Sequence, residues 1–167
     1  MSIQTPKFTW GHININVSNL ERSIEFYEKL GFEIFIPAIP YLGLNREVAT
    51  PVVPEAAAHA LGLSPESVAS ACIMQLDNGF PKIDLTEFAS KTRKKPLTNS
   101  DLGLVRICLA SQNVRKDYTR LCELGVEFIT EPQLGKDGMA EIATCSDPDG
   151  TLIELIQVYL ERWTNLG

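Results

Sequence analysis

Hydrophobic and polar residues alternate strictly from Gly11 to Val17, in the letters GHININV. Successive side chains of an extended strand point to opposite faces, so the three aliphatic residues share one face of a predicted strand. The other face carries His12, Asn14 and Asn16, whereas Lys, Glu or Thr are the usual residues on a solvated strand face. The pattern therefore predicts either an edge strand with a wet face or a strand whose polar face binds a ligand.

The apolar spacing changes to that of a helix between residues 20 and 30, and Gly31 supplies the left-handed residue that ends it. Ser18 and Glu21 predict a capping box at its start. Period-two patterns and turn residues then predict further strands, with the Asn78-Gly79 pair in a hairpin turn. These strands cover about 32–36, 68–76, 82–88, 104–110, 126–130, 140–144 and 151–158, and a second helix covers about 114–124.

The chain also matches itself at two positions. YEKLGFEIF from Tyr27 aligns with LCELGVEFI from Leu121 at an offset of 94 residues, and Asp84 aligns with Glu154 at an offset of 70. The difference means that the first copy holds about 24 extra residues. One long repeat predicts two copies of a unit made of a strand, a helix and three strands.

These patterns divide the chain into consecutive parts of a single expected domain. A Pro-rich insertion at about 37–66 is predicted to be either a surface excursion or a lid over a site, with a short helix in PEAAAHALG. The parts are a first module at 8–88 with an insertion at about 37–66, a polar connection at 89–102, a second module at 103–158 and a tail at 159–167.

Composition limits the possible partners. The 167 residues include 44% hydrophobic ones, enough for a proper core, and carry a formal net charge of −6. An acidic chain is a poor partner for a nucleic-acid backbone or an anionic membrane, and no stretch approaches the ~20 apolar residues of a membrane span. The four cysteines form no CxxC pair and predict reduced thiols in a cytoplasmic protein.

The phase of each strand selects the side chains that share the polar face. In the strand from Lys82, the aliphatic residues pack inward and Asp84 faces the same side as His12. In the second module the same argument selects Arg106, Cys108 and Glu154. Equivalent positions of the two modules therefore present His12 with Asp84, and Arg106 with Glu154.

These residues and motifs resemble those of a known family. The strand GHININV, the helix ending in LGF and the closing SDPDGTLIELIQ resemble the vicinal oxygen chelate superfamily, which includes glyoxalase I, extradiol dioxygenases and bleomycin resistance proteins. The resemblance implies an α+β fold in which two βαβββ modules with curved mixed sheets enclose a cup-shaped cavity. It also implies a divalent metal held by residues of the first and last strands of the modules. Those family positions fall on His12, Asp84, Arg106 and Glu154.

Arg106 departs from the family pattern because a guanidinium has no lone pair for a metal and stays charged. In one interpretation His12, Asp84 and Glu154 bind a divalent metal (Mn, Mg, Fe, Zn or Ni), and Arg106 clamps an anionic substrate. In the other, Arg106 takes the place of the metal and pairs with the carboxylates, and His12 or a carboxylate acts as the general base.

Three functions follow as expectations. The first is a glyoxalase-like lyase or isomerase that abstracts a proton next to a carbonyl of a small carbonyl-containing or anionic metabolite. Its catalytic residues would be His12, Glu154 and Arg106, with Asn14, Asn16, Arg106 and Cys108 binding the substrate. The alternative is a metal-free small-molecule binding or resistance protein. An extradiol-type dioxygenase is a weaker alternative because it needs two histidines, and the second one, His59, is predicted on the surface of the short helix in the insertion.

The expected partner is a small molecule, with neither nucleic acid nor membrane. The family resemblance also implies a homodimer.

Overall fold

The computed structural model describes residues 8–47, 52–92 and 95–163. Residues of the predicted insertion (48–51), connection (93–94) and tail (164–167) lie outside the described residues. The chain forms two compact units, one within 1–24 and 31–92 and the other within 25–30 and 93–167.

The first unit is built on a four-stranded sheet. Its elements, in chain order, are β1 (His12–Asn16), α1 (Leu20–Lys29, whose last residues belong to the second unit), β2 (Glu33–Ile36), β3 (Ala38–Ile39), β4 (Leu44–Asn45), α2 (Glu55–Ala60), β5 (Ala69–Gln75) and β6 (Lys82–Phe88). A 3-10 turn, Pro40–Leu42, joins β3 to β4. The sheet order is β1-β6-β5-β2, and β1 runs parallel to β6 while the other neighbours are antiparallel.

The second unit repeats this plan. Its elements are β7 (Arg106–Ala110), α3 (Val114–Glu123), β8 (Gln133–Leu134), β9 (Ala140–Ser146) and β10 (Leu152–Val158), with 3-10 turns at Lys136–Gly138 and Leu160–Arg162. The sheet order is β7-β10-β9-β8, and again the first and last strands are parallel. The α+β fold with two βαβββ modules and mixed sheets is therefore confirmed.

The register shows that the sequence repeat is also a structural one. Asn14 lies opposite Asp84 in the β1/β6 pair, and Cys108 lies opposite Glu154 in the β7/β10 pair. Asn14 and Cys108 are 94 residues apart, and Asp84 and Glu154 are 70 residues apart, as the two sequence offsets require. The same backbone frame therefore presents different side chains in each unit.

The start of α1 differs from the predicted capping box. Asn19, not Ser18, caps the helix, since its Oδ1 accepts from the Arg22 amide at 2.9 Å. Glu21 turns away to pair with Arg46, with an Nε to Oε1 distance of 2.7 Å. An Asn at this position satisfies an orphan amide as well as a Ser would, and Gly31 ends the helix region with a φ of 96°, as predicted.

One strand prediction was wrong. Instead of a strand at 126–130, the structure has a single bridge from Phe128 to Cys145, and residues 133–134 form the fourth strand. The Phe128 ring packs edge-on against Tyr118 of α3, with centroids 4.8 Å apart, which directs this segment toward the helix. The hairpin turn predicted at Asn78-Gly79 is present between β5 and β6, but Asp77, and not the Asn-Gly pair, adopts the positive φ, at 50°.

The insertion packs on the polar face of the first sheet, so it is no mere surface excursion. Cys72 and Met74 of β5 point to one face and are buried there, and the other face of β5 meets the insertion. That second cluster comprises Ile39, Leu44, Val53, Ala58, Ala69, Ala71 and Ile73. Ile73 lies directly opposite Asp84, so this cluster shares the face that carries Asp84.

Candidate functional site

The polar face of β1 has the composition that the alternation predicts. Ile15 and Val17 are buried, whereas His12, Asn14 and Asn16 are exposed. Asn14 accepts from Thr86 Oγ1 of β6 at 2.9 Å and donates to Asn16 Oδ1 at 2.8 Å. The two amides therefore belong to one hydrogen-bonded row beside His12.

His12 lies beside a buried carboxylate. Its Nε2 is 3.6 Å from Asp84 Oδ2. The His12 side chain is 46% exposed, whereas the Asp84 side chain is 2% exposed. Parallel pairing of β1 with β6 brings the two together, because both side chains point to the same face. An accessible imidazole backed by a buried carboxylate is the arrangement of an oriented general base.

Tyr41 of the insertion completes this group. Its hydroxyl donates to Asp84 Oδ2 at 2.7 Å, and its ring stacks on His12 with centroids 6.2 Å apart and planes 28° apart. The turn Pro40–Leu42 holds the residue there, with Gly43 in the left-handed conformation at its end. Burial and the Asp84 hydrogen bond raise the pKa of Tyr41, so the hydroxyl keeps its proton and acts as a donor.

Burial dominates the electrostatics of Asp84. Desolvation raises the pKa of this carboxyl above its ordinary value, while the Tyr41 hydroxyl and His12 act in the opposite direction. Its Oδ1 atom is buried and has no hydrogen-bond partner among the residues that the structure describes. A carboxyl group with one free oxygen in a desolvated position is costly to keep, which marks it as a functional candidate.

The second unit presents a paired set at the equivalent positions. Arg106 Nε donates to Glu154 Oε2 through a short bond, and Arg106 Nη1 donates to Asn99 Oδ1 at 3.0 Å. The Cys108 thiol donates to Glu154 Oε1 at 3.5 Å. Burial and the neighbouring Glu154 raise the pKa of Cys108 to about 11, which keeps it a thiol and a weak nucleophile at neutral pH.

Comparison with known proteins identifies the family. A sequence model of the Glyoxalase/Bleomycin resistance protein/Dioxygenase superfamily matches residues 9–155. The chain belongs to this superfamily. A search of curated proteins finds no match.

Solved structures of the glyoxalase superfamily share the fold. A glyoxalase family protein from Bacillus cereus is 19% identical with a TM-score of 0.72, and the match covers 95% of this chain and 98% of that one. A superfamily member from Sphaerobacter thermophilus is 21% identical with a TM-score of 0.60, covering 90% and 98%. The glyoxalase I of Leishmania major is 21% identical with a TM-score of 0.57, covering 90% and 87%. At these identities the likeness concerns the fold.

Members of the glyoxalase superfamily commonly hold a metal, and the candidate donors are divided between the two units. No three His, Cys, Asp or Glu side chains converge on a common point within residues 8–47, 52–92 and 95–163. The first unit contributes two candidate ligands, His12 and Asp84, and in the second unit Glu154 is engaged by Arg106. A cation already fixed on the carboxylate repels a divalent ion at the same place.

Two site residues are absent from the set predicted by sequence. Tyr41 lies in the insertion, which has no counterpart in the repeat, so no internal alignment could select it. Asn99 lies in the predicted connection. His59 is exposed on α2, as the sequence predicts.

No helix among the described residues is long and apolar enough to cross a membrane.

Proposed function

We propose that the protein is a lyase or isomerase that removes a proton from the carbon next to a carbonyl group of a small metabolite. His12 is the base. The observation that carries the proposal is the accessible His12 imidazole beside buried Asp84, with Nε2 3.6 Å from Oδ2. A carboxylate in this position stabilises the imidazolium that forms when the base takes a proton.

The surroundings of Asp84 support this role. Because the carboxyl is removed from water, its charge acts on the adjacent imidazolium more strongly than it would at the surface. Tyr41 fixes Oδ2 through its hydroxyl at 2.7 Å and flanks His12 through its ring. The pair is thus oriented before a substrate arrives, as efficient proton transfer requires.

Stabilisation of the developing oxyanion is assigned to Arg106, on the basis of its family position and its permanent charge. Glu154 and Asn99 each accept from the guanidinium and so restrict its orientation. In this proposal Glu154 positions Arg106 and no metal takes part. Asn14, Asn16 and Cys108 remain the candidates for hydrogen bonds to the substrate.

The proposal can be tested through exchange of carbon-bound hydrogen. Pyruvate and dihydroxyacetone are incubated with the protein in D2O, and loss of the proton signal next to the carbonyl is followed by NMR. Catalysed exchange is expected in the wild type and should be lost in His12→Gln. His59→Gln is the matched control, because His59 is exposed on α2 and should leave exchange unchanged. Equal exchange in the two variants would remove His12 from the mechanism.

A binding protein without catalysis is the second candidate. The Arg106 to Glu154 pair favours it, because this pair occupies positions that would otherwise supply metal ligands. Tight binding of a small molecule without exchange in any tested carbonyl compound would select this alternative.

Location and assembly complete the proposal. We assign the protein to the cytoplasm, consistent with the four free cysteines in the described residues. We also expect a homodimer, which light scattering in solution would test.

A further inference from the structure

Lys82 is a buried cation on the same face as the proposed base. It is 6% exposed, lies two residues before Asp84 on β6 and is the direct register partner of His12 on β1. Its side chain therefore points to the face that carries the His12 and Asp84 pair.

The ammonium group has polar and aromatic neighbours but makes no direct ion pair with a described residue. Nζ donates to Gln75 Oε1 at 2.8 Å, and Gln75 Nε2 in turn donates to Glu33 Oε1 at 2.7 Å. Among the residues that the structure describes, no carboxylate lies within 4.0 Å of Nζ. The closest acidic group along this network is thus separated from the cation by a neutral amide.

Two phenyl rings also lie close to the ammonium group of Lys82. The ring centroids of Phe35 and Phe80 each lie 4.7 Å from Nζ, and both side chains are exposed to solvent. Phe35 is placed there by an irregularity in β2, where the pairing with β5 shifts between Ile34 and Ile36. Bulges of this kind re-aim side chains and are frequent next to active sites.

Lysine is almost never buried without an ionic partner, because an uncompensated charge loses its hydration. Aromatic faces replace part of that hydration through cation–π attraction. They leave the charge without a direct ion pair, and two of the three N–H groups without a strong acceptor, within the part of the chain that the structure describes. An anionic ligand group would supply both the missing charge and the missing acceptors.

We propose that Lys82 binds the carboxylate of a small carboxylic acid whose apolar part lies against Phe35 and Phe80. A carboxylate is favoured over a phosphate because the site combines one ammonium with exposed phenyl surface. It also lacks a helix terminus or a second cation among these contacts. The inference rests on the proposed function and narrows its substrate class to carbonyl compounds that also carry a carboxylate.

The test uses benzoate as the probe and calorimetric titration as the readout. Benzoate is expected to bind the wild type and to bind Lys82→Met about tenfold or more weakly, since the variant keeps the apolar stem and loses the charge. Lys91→Met is the matched control. Lys91 lies in the same unit but is exposed and already paired with Glu87 at 2.6 Å, so its removal should leave benzoate binding unchanged.

Three results would overturn the inference. They are equal benzoate affinity in the wild type and Lys82→Met, no benzoate binding to the wild type, and Lys82-dependent binding of inorganic phosphate in preference to benzoate. Thermal unfolding of Lys82→Met, monitored alongside, guards against loss of folding as the cause. Lys82→Arg, which keeps the charge, should restore binding.

The outcome is separable from that of the proposed function. Benzoate has no exchangeable proton next to a ketone, so its binding does not depend on turnover, and His12→Gln should still bind it. Lys82-dependent benzoate binding without catalysed exchange would reject the base at His12 and retain the carboxylate site. Catalysed exchange of pyruvate that is unaffected in Lys82→Met would retain the base at His12 and reject the carboxylate site.

Discussion

Two buried aspartates of this protein should respond in opposite ways to the same substitution. Asp84 has one oxygen without a hydrogen-bond partner among the described residues, whereas Asp147 has donors on both oxygens. Replacing each with Asn keeps the size and removes the charge. We expect Asp84→Asn to raise the free energy of unfolding at neutral pH and Asp147→Asn to lower it.

The magnitude for Asp84 follows from its surroundings. A buried polar atom without a partner costs about 1–3 kcal/mol, and more when it is charged. The amide in Asp84→Asn still leaves one polar atom unpaired but removes the charge, so a gain of about 1 kcal/mol is expected. For a chain of this length that gain corresponds to a rise in Tm of about 2–4 °C. The Tyr41 hydroxyl retains an acceptor on the new amide.

The pH dependence has a definite sign. Because burial raises the pKa of Asp84, the folded state holds this proton more tightly than the unfolded state. Protonated Asp84 therefore stabilises the folded state. This contribution is complete below the unfolded pKa of about 3.9 and is lost as the pH rises through the raised pKa of the folded state. The stability difference between Asp84→Asn and the wild type should therefore be small in acid and reach its full size above that window.

Asp147 provides the contrast. Its Oδ1 accepts from the backbone amides of Asp149 and Thr151 at 2.9 and 2.8 Å, and its Oδ2 accepts from Tyr27 at 3.1 Å. Hydrogen bonds to a charged group contribute about 1.5–3 kcal/mol each, so Asp147→Asn should destabilise by at least about 1 kcal/mol. Urea unfolding of both variants between acid and neutral pH measures the two effects. Equal destabilisation by the two substitutions would show that Asp84 is a structural carboxylate.

Three further results are expected. Arg106→His should raise the affinity for Mn²⁺ or Zn²⁺ in a calorimetric titration, because an imidazole offers a lone pair where the guanidinium has none; unchanged affinity would count against a replaced metal ligand. Ile39→Ala in the insertion should lower the free energy of unfolding by about 2–5 kcal/mol, because the side chain is fully buried. Leu61→Ala, at an exposed position, should change it by about 0.5 kcal/mol or less. Similar denaturation curves for the two variants would contradict a core role of the insertion. Tyr41→Phe removes a hydrogen bond that lowers the pKa of Asp84, so the pH range over which ionisation of Asp84 reduces the free energy of unfolding should move to higher pH in urea unfolding; an unmoved range would show that Tyr41 does not act on this carboxyl.

The architecture was predictable because its signals are local and occur twice. Strand alternation and helix spacing depend on neighbouring residues, and the repeat then predicted the same order of strands and helix along the chain in both modules. The opposition of Asn14 to Asp84 and of Cys108 to Glu154 reproduces the two offsets, so the faces assigned to these side chains were correct.

The contribution of the insertion was not predictable in the same way. Its segments have no second copy, and their prolines remove the periodic pattern on which an interpretation would depend. Tyr41 therefore had no signal that distinguished it from an ordinary exposed aromatic residue, although its hydroxyl reaches Asp84 at 2.7 Å. The role of Lys82 depends on Phe35 and Phe80, which converge on it only through a strand irregularity and a turn.

The two units share one pattern of strand pairing but differ in whether their buried charged groups have partners. In the second unit Glu154 has Arg106 and Cys108 as donors, so the buried carboxylate is compensated within the protein. In the first unit, within the described residues, Asp84 Oδ1 has no hydrogen-bond partner and Lys82 Nζ has no carboxylate within 4.0 Å, although the strand pairing is the same. Folding alone favours the compensated arrangement, because unpaired buried groups reduce stability. This difference supports the proposals of a base at His12 and an anion site at Lys82, and it favours the enzyme over the binding protein as the proposed function.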